Sequence, residues 1–221
     1  KYMTAKEEDI LTSTNLIEKG VVITKLLESI IADPKVKLND MLIGDKNAIM
    51  IGTRILGYGK DYGITLVDPD TNERVEHIVD LTKLENKPID EKLYQSGNSF
   101  TLELPNSKRV IGFKLLTQKD ENDIAEILKD YEQAEKLTGV SYVGTTRLKH
   151  QIVSIDGNTD QKEIDNFVDN EFLALDTRAF RKHLDKITPD IELKFDYTSQ
   201  TGNLHRLDVP LGIGFFWPAA E

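Results

Sequence analysis

The sequence predicts an α+β protein: an N-terminal helical unit, three β-hairpins, and a C-terminal helical segment that ends in the last hairpin. Three observations point there. Apolar residues recur at helical spacing near the N-terminus and again between residues 117 and 187. Alternating runs bracket clusters of turn-forming residues. Between Leu42 and Gly59 a helix signal runs straight into a hairpin signal.

Taken in order, helices are expected over Thr12–Glu18 and Val21–Ile31, the second with Val22, Leu26, Leu27, Ile30 and Ile31 as its stripe and Asp33-Pro34 as its stop. A third starts with Asp45 as N-cap and carries Ile49, Met50, Thr53, Leu56 and Gly57 on one face, with Lys46 and Arg54 pointing elsewhere. Gly52 and Gly57 each weaken an isolated helix by about 1 kcal/mol, so a second backbone is expected to pack against it; Gly59 stops it. Tyr62 to Leu81 reads as a hairpin around Asp68-Pro-Asp-Thr-Asn72. Thr82–Asn98 is expected as an extended polar loop. A second hairpin pairs Phe100–Leu104 with Val110–Leu115.

Thr117 caps the longest helix, whose stripe is Ile124, Ile127, Leu128, Tyr131 and Leu137 and whose end is Gly139. Further helices are expected over Thr145–Val153, Asp160–Leu173 and Asp176–Ile187. Ile191–Phe195 and Leu204–Val209 form the third hairpin around residues 197–203. It echoes the first in strand, polar loop and a return strand ending in Asp, which suggests a structural duplication. Both are expected in one sheet with helices on one side. The segments group as 1–60 (helical), 61–116 (hairpins), 117–190 (helical) and 191–221 (hairpin and aromatic tail), in one or two compact domains.

At 221 residues the chain can bury roughly 70% of its unfolded surface. Its 39% apolar and 30% charged residues suit a folded globular protein. Its longest apolar runs fall short of a membrane span, and Lys1–Thr12 lacks the apolar core of a secretion signal. Twenty-eight basic against thirty-eight acidic side chains give a net charge of −10, which repels a phosphate backbone. With no cysteine, thiolate chemistry, disulfides and cysteine-ligated zinc are excluded.

No catalytic or metal-ligating pattern emerges, so catalytic residues, metal ligands and cofactors are all expected to be none. His77, His150, His183 and His205 are scattered, although His77 and His205 occupy matching places on the two return strands. Asp156-Gly-Asn-Thr-Asp160 reads as a turn that caps the next helix rather than a calcium loop. The apolar Phe215-Phe-Trp217 must be covered, by the chain's own core or by a partner.

An ordered set of blocks completes the reading: Leu42-Ile-Gly-Asp-Lys-Asn-Ala-Ile-Met50 with Arg54 and Tyr58-Gly59, then Val79-Asp-Leu81, Phe113-Lys-Leu-Leu-Thr117 with Asp120, Ala174-Leu-Asp176 with Arg178, Asp208-Val-Pro-Leu211, and Phe215-Phe-Trp-Pro218. From about residue 10 onward the chain resembles the baseplate hub subunit family of T-even-like contractile-tail phages, also described as baseplate hub assembly proteins. The resemblance implies a non-enzymatic hub component or assembly factor, found in the tail baseplate of the virion or in the host cytoplasm during assembly. Its partners would be other hub or tail proteins in a hetero-oligomer, with no nucleic acid and no membrane. Partner contacts are expected at Phe215, Phe216 and Trp217, and at Tyr58, Arg54 and Asp45. Similar phage proteins carry zinc-ribbon-like cysteine pairs at the first and last hairpin tips. Here those tips read Asp68-Pro-Asp-Thr71 and Thr198-Ser-Gln-Thr-Gly202, so the hairpins are zinc-ribbon-like without cysteines and no zinc site carries over. The alternatives are a degenerate ribbon-type nucleic-acid or regulatory binding module and, least supported, a hydrolase.

Overall fold

Local chemistry sets most element ends. A computed structural model describes residues 1–211 and 213–216. In chain order its elements are α1 (Ala5–Leu11), α2 (Thr14–Glu18), α3 (Val22–Ile30), α4 (Ile43–Tyr58), β1 (Asp61–Val67), β2 (Arg74–Asp80), β3 (Phe100–Glu103), β4 (Val110–Phe113), α5 (Gln118–Thr138), α6 (Val143–Gln151), β5 (Ile152–Ile155), α7 (Gln161–Asn166), α8 (Ala174–Ile187), β6 (Lys194–Thr198) and β7 (Leu204–Asp208). The architecture is mixed α+β, with three small antiparallel sheets among the described residues. The sequence reading divides the chain into four consecutive segments. Those segments are expected in one or two compact domains, and the contacts of the chain form two units that alternate along the sequence: Lys1–Leu38 and Gly44–Lys87 with the described residues from Asp190 onward, and Asn39–Ile43 with Pro88–Pro189.

In the first unit, α1 is a helix that the sequence reading does not contain. Thr4 donates both its N–H (2.8 Å) and its hydroxyl (2.6 Å) to Glu7 Oε2, and the Ser29 hydroxyl donates to Glu7 Oε1 at 2.6 Å, so one buried carboxylate closes the first turn of α1 and ties it to α3. The stripe of α3 is buried through Val22, Leu26, Leu27 and Ile30. Helix α4 begins two residues before Asp45, which sits exposed in its first turn instead of capping it. Its buried face holds Met50, Ile51 and Arg54, while Leu56 is exposed. That reverses the expected roles of Arg54 and Leu56. Nor does a second backbone approach the glycines: Gly52 faces open space, and a Cβ on Gly57 would stand 3.0 Å from Met3 Sδ.

The first and last hairpins do not share a sheet; β1–β2 and β6–β7 are separate two-stranded sheets. Their construction is parallel in detail. Leu81 donates its N–H to Lys60 O at 2.9 Å, Val209 donates to Leu193 O at 2.8 Å, and both side chains are buried. At the tips Asp68 N–H donates to Glu73 O and Ser199 N–H to Asn203 O, and the loops turn through the positive φ of Asn72 (60°) and Gly202 (90°).

In the second unit β3, β4 and β5 form one antiparallel sheet, pairing Phe100 with Phe113 and Ile111 with Ile155. Residues 152–155 are thus a strand, not the end of the preceding helix. Ile152 and Ile155 are buried, and β5 satisfies the backbone groups along the free edge of β4. The core gathers Phe100, Ile111, Phe113, Leu148, Ile152, Ile164, Phe167 and Phe180, with Phe113 edge-on to Phe180 at 5.0 Å. The expected helix over 160–173 is shorter, because α7 gives way to a π-helical turn at Phe167–Glu171 that Phe172 N–H closes on Phe167 O at 2.7 Å. The span 82–98, expected as an extended loop, is entered through a 3₁₀ turn at Leu81–Lys83 and holds another at Glu91–Tyr94, begun by the side chains of Asp80 and Asp90.

Helix α5 starts as the sequence predicts. Thr117 and Asp120 exchange backbone and side-chain hydrogen bonds in a capping box, and Gly139 ends the helix at φ 68°. Its apolar stripe is not buried as expected. Ile124 is enclosed, but Ile127 and Tyr131 remain 37% and 38% exposed and Leu137 87%. Leu137 lies about 140° around the helix from Ile124, off the stripe altogether.

Candidate functional site

Four of the expected partner-contact residues, Arg54, Tyr58, Phe215 and Phe216, converge on an internal joint of the first unit. Arg54 follows Met50 and Ile51 around α4, so helical geometry turns its side chain inward beside Tyr58. Its Nε donates to Phe215 O at 3.0 Å, its Nη1 to Gly59 O at 3.2 Å and its Nη2 to Asp61 O at 3.4 Å. The guanidinium lies 5.3 Å from the Tyr58 ring centre and 5.8 Å from that of Tyr62. Burial pulls its pKa below the ordinary value, an effect that the two phenols oppose. Among the described residues the charge is met by carbonyls and ring faces instead of a carboxylate. Phe215 and Phe216 are fully buried; Phe215 meets Tyr62 edge-on at 4.9 Å, and Tyr62 donates its hydroxyl to Pro210 O at 3.0 Å. Of the two coverings open to this segment, the chain's own core supplies the one for Phe215 and Phe216. Trp217 lies outside the described residues. Asp45 stands exposed in the first turn of α4 and is no part of the joint.

A second joint, which sequence reasoning missed, fastens the two hairpin tips. Asp68 is buried, and its Oδ2 accepts from the Tyr197 hydroxyl at 2.7 Å and from Gln200 N–H at 3.0 Å. Its Oδ1 accepts from Asp70 N–H and Thr71 N–H at 2.9 and 3.0 Å, so an ordinary turn carboxylate also reaches across to the other hairpin. Burial alone would raise this carboxyl, but Gln200 N–H, then the Tyr197 hydroxyl and the two turn amides, outweigh it and bring the pKa down to about 2. Neighbouring Asp70 accepts from the hydroxyls of Ser199 and Thr201, both at 2.5 Å, and from Asn203 Nδ2 at 3.0 Å, with His205 Nε2 3.0 Å from its other oxygen. The Ser199 hydroxyl first, then Thr201, Asn203 and His205, hold that carboxyl well below the usual range.

The paired histidines diverge in role. His77 stacks on Phe195 at 5.3 Å and meets Tyr197 edge-on, whereas His205 serves Asp70. Beside them a cavity of about 550 Å³ is lined by residues including Asp80, Glu192, Lys194 and Arg206; Asp80 pairs there with Lys60 at 2.8 Å and Arg206 with Glu192. No three His, Asp or Glu side chains stand close enough to hold a metal among the described residues.

A third joint belongs to the second unit. Asp176, fully buried at the start of α8, accepts from Asn106 N–H at 2.8 Å, Asn106 Nδ2 at 2.9 Å and Ser107 N–H at 3.0 Å, so it fixes the loop between β3 and β4. The Asp156 turn works similarly: its carboxylate accepts from Arg109 Nε and Val110 N–H, both at 2.8 Å, and Asp160 caps α7. Chemically, each of these sites holds a loop or a tail against an element by charge-assisted hydrogen bonds. Compared with known protein families, curated proteins and solved structures, the chain matches none.

Proposed function

We propose that this chain is a non-enzymatic component or assembly factor of a contractile-tail phage baseplate hub, acting through contacts with other hub or tail proteins. The observation that supports the reading is where the residues of the resemblance stand in the fold. Arg54 and Phe215 make the tail joint, Tyr62 is hydrogen-bonded to Pro210 of the Asp208-Val-Pro-Leu211 block, Leu81 closes the first hairpin, Thr117 with Asp120 starts the longest helix, and Asp176 fixes the β3–β4 loop. A likeness concentrated in such joints is a likeness of scaffold. The distinctive polar groups hold loops in place, which suits a protein that works by offering fixed surfaces to neighbours.

Sedimentation of lysates from cells infected with a phage that carries this gene, followed by immunoblotting for the chain, tests the reading. It should travel with baseplate or hub intermediates, and an early stop codon in its gene should stop tail assembly. Normal infectious particles from the stop-codon phage, with the wild-type chain found only as free protein, would refute it.

A further inference from the structure

Helix α5 carries an apolar strip that its own unit leaves half uncovered. Counted at helical spacing, Ile124, Ile127, Leu128 and Tyr131 share a face, and only the first is buried. Beside Ile127 and Tyr131 opens a groove of about 760 Å³, whose other walls include Tyr142, Val153 and Lys149. Its shape is fixed. Tyr131 and Tyr142 stack at 4.8 Å, Tyr142 N–H donates to Glu135 Oε1 at 2.9 Å, Arg147 forks onto Glu121, and Lys149 is held by Asp169 at 2.7 Å.

Charge singles out the occupant. Asp123, Glu126 and Asp130 fall at i, i+3 and i+7, a column running along the Ile127 side of the strip, and none of the three has an ion pair among the described residues. Lys119, four residues before Asp123, is the one cation of α5 that falls in this column, which stays acidic in net. A second copy of this chain would bring acidic column against acidic column and two net charges of −10 together. We infer that this strip and groove form a docking face for an amphipathic helix of a different protein, with an apolar seam on Ile127 and Tyr131 and flanking Lys or Arg side chains against Asp123, Glu126 and Asp130. Helix-in-groove recognition supplies both parts, since apolar anchors give affinity and flanking charges give register and selectivity. The face keeps this chemistry whatever assembly the chain joins.

The test uses the full chain and two fluorescein-labelled synthetic helical peptides of about twenty residues with the same leucine seam, one flanked by lysines and one by glutamates, read by fluorescence anisotropy. The lysine-flanked peptide should bind saturably, and at least about tenfold more tightly than its glutamate-flanked counterpart. Ile127→Asp should weaken it about tenfold, as should the double change Glu126→Lys with Asp130→Lys, which alters only exposed charges and leaves the circular dichroism unchanged. Saturation that never comes at concentrations up to about 1 mM, or equal affinity for the two peptides, overturns the proposal. So does reversible dimerisation of the chain in analytical ultracentrifugation that Ile127→Asp abolishes, because the occupant would then be a second copy.

Discussion

Arg54 shows how a single side chain can decide the fate of a distant segment. Its guanidinium reaches the carbonyl of Phe215, 161 residues away, while Gly59 and Asp61 complete its acceptors. A lysine keeps the charge but cannot serve three carbonyls in one plane. Arg54→Lys should therefore lower stability by about 1–3 kcal/mol, measured as a shift in the urea midpoint with the slope unchanged. Asp68 makes a pH-dependent contribution of definite sign. Its carboxyl sits at about 2 in the folded chain against an ordinary 3.8, so the unfolded chain binds the proton first. The stability it gives is fully present above about pH 4 and drains away as pH falls toward 2. Acid titration of the thermal midpoint should show this loss, and Asp68→Asn should be less stable at neutral pH with a shallower fall over that interval. An unchanged acid slope in the variant would mean that Asp68 does not clasp the hairpins.

Among elements, β4 and α5 behave in opposite ways. Strand β4 lies between two partners, and Gly112 faces Ser154 so closely that a Cβ there would collide with the Ser154 hydroxyl. Gly112→Ala should cost about 1–3 kcal/mol, and adding Ser154→Ala should recover much of it, since the two side chains contend for one space. Helix α5 is anchored at its start by the Thr117–Asp120 box, by Lys114 Nζ on Asp120 at 2.6 Å and by buried Ile124, but its later turns are largely exposed. Amides beyond Lys129 should exchange with deuterium faster than those near Ile124, which hydrogen-exchange mass spectrometry reads directly. Protection of that distal half on adding the lysine-flanked peptide would locate the docking helix.

For the whole molecule, the first unit is discontinuous in sequence and depends on its last described residues. Phe215 is fully enclosed, so Phe215→Ala should lower stability by about 3–5 kcal/mol in a denaturant titration. The hairpin tips are fastened by carboxylate hydrogen bonds, and EDTA should leave the thermal midpoint where it was; a fall on chelation would show that a metal contributes.

What the sequence determined by itself was whatever neighbours in the chain could settle. The Thr117–Asp120 box, the Gly139 stop, the two polar hairpin tips and the period of α3 all depend on groups a few residues apart, and the α+β class follows from them. Tertiary structure decided the rest. Ile152–Ile155 became a strand because β4 offered an unpaired edge, and Glu7, whose box with Thr4 is local, was tied to α3 because the Ser29 hydroxyl reached its other oxygen. Arg54 turned inward because carbonyls and rings from other segments could receive it, and Asp68 became a clasp only when Tyr197 and Gln200 arrived from the far hairpin. A buried polar group is stable only with its partners in place, and partners more than a hundred residues away leave no local spacing to read.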